Sequence, residues 1–342
     1  MRPNDLRPPD VDATPGGDRR TSLSRRSFLK AAAATTGAAG LVATTATSAA
    51  ASGLVPESDP EELAREHADD PGLLIDLTRC VGCGRCVRAC KLDNDLEWRQ
   101  DQPATGVDAD LASSNWTVVR AVGVETTQES RLGPRRRAAR RYVKEQCLHC
   151  LEPACASACF VAALHKSEEG PVLYDGDRCV GCRYCLMACP FSVPTFEWDE
   201  TFGRVQKCDF CPERTAQGEP TACAEACEQD AITFGPRGQL LAAAWARIDA
   251  DDRYVRHVYG EREVGGTSVM YISDIPFEEL GFRTELPTDP LPTYTWEVSR
   301  ILPPFAAGFT AVIVALYARR QRVLRQRVEA EGTVQEEEAT AR

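Results

Sequence analysis

Cys179-Val180-Gly181-Cys182-Arg183-Tyr184-Cys185-Leu186-Met187-Ala188-Cys189-Pro190 sets four cysteines within eleven residues at the spacing C-x2-C-x2-C-x3-C and closes on proline. The same spacing recurs at Cys80, Cys83, Cys86 and Cys90. Two further groups vary it: Cys147, Cys150, Cys155 and Cys159 are spaced C-x2-C-x4-C-x3-C, and Cys208, Cys211, Cys223 and Cys227 are spaced C-x2-C-x11-C-x3-C. All 16 cysteines belong to these four groups, in a stretch from Cys80 to Cys227 that is about 11% cysteine, above the roughly 8–10% at which thiol chemistry leads a reading. Two intervening residues let a loop curl around a compact multi-metal centre and offer consecutive sulfurs to different metal atoms. Three intervening residues put the last pair at i and i+4, on one helix face, so that one sulfur can close its own centre and the other reach the next. Gly82, Gly84 and Gly181 give these loops backbone freedom.

A run of C-x2-C-x2-C-x3-C-P is the spacing that holds [4Fe–4S] clusters in bacterial ferredoxins, its fourth cysteine ligating the neighbouring cluster. Sixteen thiolates at four per cluster predict four [4Fe–4S] clusters with none left over. Structural zinc is the first alternative, but it usually pairs two C-x2-C units across a long spacer, whereas cysteines crowded into eleven or thirteen residues favour a cluster. His149, inside Cys147–Cys150, finds the cysteine count already complete and is expected beside a cluster or at the surface.

The two ends of the chain concern location. Ser24-Arg25-Arg26-Ser27-Phe28-Leu29-Lys30 precedes eighteen weakly apolar residues, Ala31 to Ser48, and the small residues Ala49-Ala50-Ala51. This resembles a twin-arginine export signal, with Arg25 and Arg26 as its pair. Disulfides would suit an oxidising compartment, but that route exports proteins already folded around their cofactors, so thiols bound to iron never meet the periplasm free. A second apolar segment, Ile301 to Ala318, would span about 27 Å as a helix, close to a bilayer core of about 30 Å. Tyr294, Trp296 and Tyr317 flank it as interfacial aromatics, and Arg319, Arg320, Arg322, Arg325 and Arg327 follow it, which puts the C-terminus on the cytoplasmic side. Ala307, Ala311 and Ala315 beside Gly308 form a small-residue stripe for another helix.

The formal net charge is −11, and residues 31–318 hold 27 basic against 42 acidic groups, a balance that disfavours nucleic acid as partner. Short strands are predicted around the cysteine groups: Leu73–Asp76, Ala163–Lys166 with Val172–Asp175, Thr195–Trp198 with Arg204–Lys207, and Ala231–Phe234. Little apolar sequence is left over for a large core. Residues 91–141, free of cysteine beyond that point and rich in arginine at Arg135–Arg137 and Arg140–Arg141, read as an insertion with a solvated face. No phosphate-binding glycine loop and no nucleophile with a positioned base is found, which points to a non-catalytic chain.

Taken together, the chain resembles the four-cluster ferredoxin-type electron-transfer subunits of periplasmic respiratory oxidoreductases, and most closely the iron–sulfur subunit of the hydrogenase-2 type. The resemblance rests on Leu77-Thr78-Arg79-Cys80-Val81-Gly82-Cys83, Gln146-Cys147-Leu148-His149-Cys150, the Cys179–Pro190 run, and Tyr259-Gly260-Glu261 with Gly265-Gly266-Thr267. It implies an α+β fold of two interleaved dicluster ferredoxin-like domains plus one C-terminal transmembrane helix. The implied organisation is a signal peptide at 1–51, a periplasmic body at 52–299, a membrane helix at 300–318 and a cytoplasmic tail at 319–342. It also implies crossed ligation: Cys80, Cys83 and Cys86 with Cys227; Cys90 with Cys208, Cys211 and Cys223; Cys147, Cys150 and Cys155 with Cys189; and Cys159 with Cys179, Cys182 and Cys185. Its implied partners are hydrogenase small and large subunits, or another catalytic subunit such as a formate dehydrogenase, and an integral-membrane quinone-reactive subunit. A zinc-stabilised adaptor is the alternative from another class. Lys91, Phe160 and Glu228 stand where that family often places a proline after the last cysteine of a group, departures expected to alter potentials without removing a ligand.

Overall fold

The computed structural model describes residues 59–128, 135–299 and 301–340; Arg25, Arg26 and the signal-like segment lie outside them. In chain order the elements begin with helix α1 (Pro60–Glu66), strand β1 (Pro71–Asp76), helix α2 (Arg85–Asp93), and strands β2 (Thr105–Gly106), β3 (Val118–Gln128) and β4 (Arg135–Glu145). The short helix α3 (Ala154–Ser157) precedes strands β5 (Leu164–Lys166) and β6 (Val172–Tyr174), and α4 (Tyr184–Ala188) precedes β7 (Thr195–Phe196) and β8 (Val205–Gln206). Helices α5 (Pro212–Thr215) and α6 (Ala222–Glu225) lead to strand β9 (Ile232–Pro236), helix α7 (Arg237–Ala250), strand β10 (Val269–Ile272), and helices α8 (Leu291–Ser299) and α9 (Leu302–Thr340).

Strand β1 is the centre of a three-stranded sheet, antiparallel to β9 and parallel to β10. It is apolar on both faces because both are covered. On one face Leu74, Met270 and Ile272 meet Leu240, Ala244 and Ile248 of α7, spaced four residues apart on one helix stripe. On the other, Leu73, Ile75 and Tyr271 join an aromatic group of Tyr259, Phe277 and Phe282, whose rings pack edge to face at 4.8–5.3 Å. This corrects the expectation of a small core. Much of the added apolar mass comes from residues 237–282, past the last cysteine, where a helix, a strand and aromatic loops close over the sheet, and Val119, Val124 and Val143 of the β3–β4 hairpin add to it.

The predicted strands are present, two of the pairs as the antiparallel hairpins β5–β6 and β7–β8. The insertion is also structured: β3 and β4 form an antiparallel hairpin eleven residues deep, from Val118↔Glu145 to Gln128↔Arg135. Arg141 is not merely solvated, since its guanidinium pairs with Asp274 through two nitrogens, Nε at 3.1 Å from Oδ1. The strand alternation is carried by Val122, Val124 and Val143 and was obscured by arginines interleaved with them on the same face, Arg141 standing opposite Val122 and Arg120 opposite Val143. At the C-terminus the helix does not stop at residue 318 but continues to Thr340, because the residues that follow are good helix formers. Its portion Leu302–Arg327 is long and apolar enough to cross a membrane, and its side chains are exposed.

Candidate iron–sulfur sites

The C-x2-C loops share a backbone solution. The residue just before the second cysteine has positive φ in all four: Gly82 at 74°, His149 at 49°, Gly181 at 68° and Phe210 at 73°. This left-handed step curls the loop so that an amide faces the first sulfur: Gly181 N donates to Cys179 Sγ at 3.4 Å, and the Gly82 amide does the same for Cys80. At Gly82 no side chain would fit, since a Cβ there would stand 2.3 Å from Tyr142. His149 and Phe210 bear the strain of non-glycine residues in that region.

Helix α2 then presents Cys86 and Cys90 one turn apart, and the structure sorts the sixteen thiols into four neighbourhoods. One pocket is lined by Cys80, Cys83, Cys86 and Cys227, with Lys144 and Ile232. A second is lined by Cys90, Cys208, Cys211 and Cys223, with Gln146 and Thr117. Around Cys150 the thiols that act on it are Cys189, Cys155 and Cys147, and around Cys185 they are Cys159, Cys179 and Cys182. None of the sixteen is in a disulfide. Among the described residues no three His, Cys, Asp or Glu side chains converge on the point a single metal ion would occupy; the thiols of the first two neighbourhoods instead line pockets.

Burial, and then mutual repulsion, pushes these thiols up. Cys86, Cys155 and Cys211 rise to about 12, Cys185 and Cys189 to about 11, and Cys90, Cys150 and Cys208 rise as well. Buried groups of four thiols are therefore poor free thiolates and fit a multi-iron centre, whose positive charge deprotonates coordinating sulfur. The neighbourhoods also lie within electrostatic reach of one another in sequence. Cys223 acts on Cys86, Cys147 on Cys208, and Cys185 on Cys155, which links first to second, second to third and third to fourth. Cys83 and Cys182, in the two end groups, are exposed; no cysteine of the two inner groups is.

His149 is fully buried: its Nδ1 accepts the Val172 amide at 3.0 Å, its ring meets Phe210 edge-on at 4.8 Å, and burial with Lys207 and Lys166 nearby holds it well below the usual histidine range. Its loop is tied to the sheet, Ser268 N donating to His149 O at 3.0 Å and Leu151 N to Gly266 O at 3.0 Å. That explains the Gly265-Gly266-Thr267 motif. Of the three residues that replace proline, Glu228 pairs with Arg85, Phe160 is exposed, and Lys91 is buried, donating to Glu97 O and Ser114 O at 2.7 Å each. The sequence reading missed buried lysines beside the cysteines, of which Lys144 is the most enclosed; their rarity in an arginine-rich chain was the available signal.

Comparison with known proteins agrees with this geometry. Two family descriptions, each a 4Fe–4S dicluster domain, match residues 138–237 and 79–163. A protein of Nitratidesulfovibrio vulgaris strain Hildenborough is 39% identical over 88% of this chain and 78% of its own length. The hydrogenase-2 operon protein HybA of Escherichia coli O157:H7 is 35% identical over 61% of this chain and 71% of its own length. The nitrate-inducible formate dehydrogenase iron–sulfur subunit of Escherichia coli K12 is 34% identical over 75% and 86%. The chain thus belongs to the family of 4Fe–4S dicluster ferredoxin-type electron-transfer subunits that includes HybA and the formate dehydrogenase iron–sulfur subunits.

Proposed function

We propose that this subunit carries electrons through four [4Fe–4S] clusters between a periplasmic nickel–iron hydrogenase and an integral-membrane quinone-reactive subunit. The observation that carries the reading is the unbroken succession of thiol neighbourhoods, with exposed cysteines only at its two ends. When bound, the clusters supply one-electron exchange. The protein's part is to hold them, to exclude water from the inner pair and to leave the outer pair near the surface. The ligand sets we propose are Cys80, Cys83, Cys86 and Cys227; Cys90, Cys208, Cys211 and Cys223; Cys147, Cys150, Cys155 and Cys189; and Cys159, Cys179, Cys182 and Cys185.

The Arg25-Arg26 segment supports twin-arginine export of residues 52–299, and the apolar helix Leu302–Arg327 supports a single-pass anchor with a cytoplasmic C-terminus. Arg25→Lys with Arg26→Lys is expected to strand iron-loaded precursor in the cytoplasm, and removal of residues 301–342 to release the exported body from membranes. A formate dehydrogenase is the second reading for the catalytic partner, favoured by the longer stretch matched in that relative. Deleting this subunit is expected to spare hydrogen oxidation with an artificial dye and abolish hydrogen-dependent quinone reduction. Unchanged quinone reduction rejects the relay; loss of formate-dependent reduction in its place selects the second reading.

A further inference from the structure

The chain has 40 lysines and arginines, of which only Lys30, Lys91, Lys144, Lys166 and Lys207 are lysine. The four in the described body all lie against cysteine loops. Lys91, Lys144 and Lys207 are buried, at 4%, 1% and 4% exposure, and the Lys166 side chain is 18% exposed. A chain that uses arginine nearly everywhere on its surface has kept the compact ammonium where the clusters belong.

Lys144 lies where the first two thiol neighbourhoods meet. Its Nζ donates to Gln146 Oε1, and the thiols acting on it are Cys223, Cys86, Cys208 and Cys90, drawn from both. No carboxylate pairs with it among the described residues. Lys207 occupies the next seam: its Nζ donates to Val172 O at 2.6 Å and to Cys208 O at 2.9 Å, and its charge acts on Cys155 of the third neighbourhood and on Asp209. The fourth neighbourhood has no such lysine; the cation within its loop, Arg183, is exposed and stacks on Trp198 at 4.8 Å. A buried ammonium without a protein anion is costly unless something negative adjoins it. For Lys144 thiolate-ligated clusters are the available anion, Lys207 divides its charge between them and Asp209, and reduction makes the clusters more negative still.

Resting on the relay reading above, we propose that Lys144 and Lys207 are fixed counter-charges that favour the reduced state of the clusters on either side of their seams. Lys144 serves the first and second clusters and Lys207 the second and third, leaving the fourth the least stabilised by the protein's charge. They are positioning residues for the electron and bind no iron. The sign follows from Coulomb attraction in a poorly screened interior.

The test is an anaerobic redox titration of the full-length protein, followed by electron paramagnetic resonance with iron counted in each sample. Lys144→Met should lower two of the four midpoint potentials, with reduction at least about tenfold less favourable, about 59 mV for one electron, at unchanged iron. Lys144→Arg should largely restore them. Lys207→Met should lower a different pair that shares one member with the first. Loaded variants with unmoved potentials, or with all four moved alike, would overturn the counter-charges and leave the relay standing. Loss of iron from both methionine variants would mark the lysines as structural and overturn the proposal. A wild-type protein without iron would overturn the relay reading itself.

Discussion

Nε2 of His257 lies 2.7 Å from Oε1 of Glu263, whose other oxygen accepts the Gly260 amide at 2.6 Å. The pair props the loop that carries Tyr259-Gly260-Glu261 against Thr267 and, through it, the second cysteine loop. The hydrogen bond to Glu263 raises His257 above its usual range; burial pushes Glu263 up, but His257 and backbone amides outweigh it and hold the carboxyl low. The histidine's contribution is thus complete below about pH 6.5 and lost as pH rises through its raised folded value, while the carboxylate's is complete above about 4.3 and lost as pH falls. The difference in thermal midpoint between wild type and His257→Phe should be largest near pH 6 and shrink by pH 9. A difference that does not vary with pH would remove the ion pair from the explanation.

Gly82 is the position where the first cysteine loop has least room. Gly82→Ala combines φ of 74° with a Cβ inside the Tyr142 ring, and should cost about 1–3 kcal/mol locally. The expected result is a protein that loses about a quarter of its iron while the remaining clusters persist. Gly123→Ala, with nothing within 4 Å of the added carbon, is the control that should leave iron unchanged.

Arg141 fastens the β3–β4 hairpin to the loop after β10 through Asp274. Both side chains are partly buried, so removing either should cost roughly 1–2 kcal/mol. A double-mutant cycle with Arg141→Ala and Asp274→Ala should give a coupling energy of that order in chemical unfolding. Additive single effects would mean that the hairpin is held by packing alone.

Cys189 ends the group that begins at Cys179 yet lies among Cys147, Cys150 and Cys155. Cys189→Ala should therefore perturb the resonance of the third cluster and leave that of Cys179, Cys182 and Cys185 near native. Selective loss of the latter would show that ligands do not cross between groups.

Cysteine spacing and the strand pairs near it were legible because each depends on local pattern. The i, i+4 pair Cys86 and Cys90 sits on a helix as its spacing requires, and β1 is the apolar run read at Leu73. The central sheet was not legible, since β10 joins β1 in parallel from nearly 200 residues away and only tertiary packing records it. The β3–β4 hairpin was hidden by arginines interleaved with its valines. His149 could be placed only beside a cluster or at the surface; its full burial and its contact with Val172, which comes from the β5–β6 hairpin, were not legible. Lys144 and Lys207 could be counted but not located: composition marks a residue as rare, and only the fold says where its charge lies.

The central claim is that this chain holds four [4Fe–4S] clusters as an electron relay, and iron and acid-labile sulfide analysis of anaerobically purified full-length protein tests it most directly. About sixteen irons and sixteen sulfides per chain are expected at four per cluster, with little zinc, a brown colour, and signals of several interacting clusters on reduction. Stoichiometric zinc with fewer than about four irons, and no visible absorbance, would contradict the relay and select a zinc-stabilised adaptor.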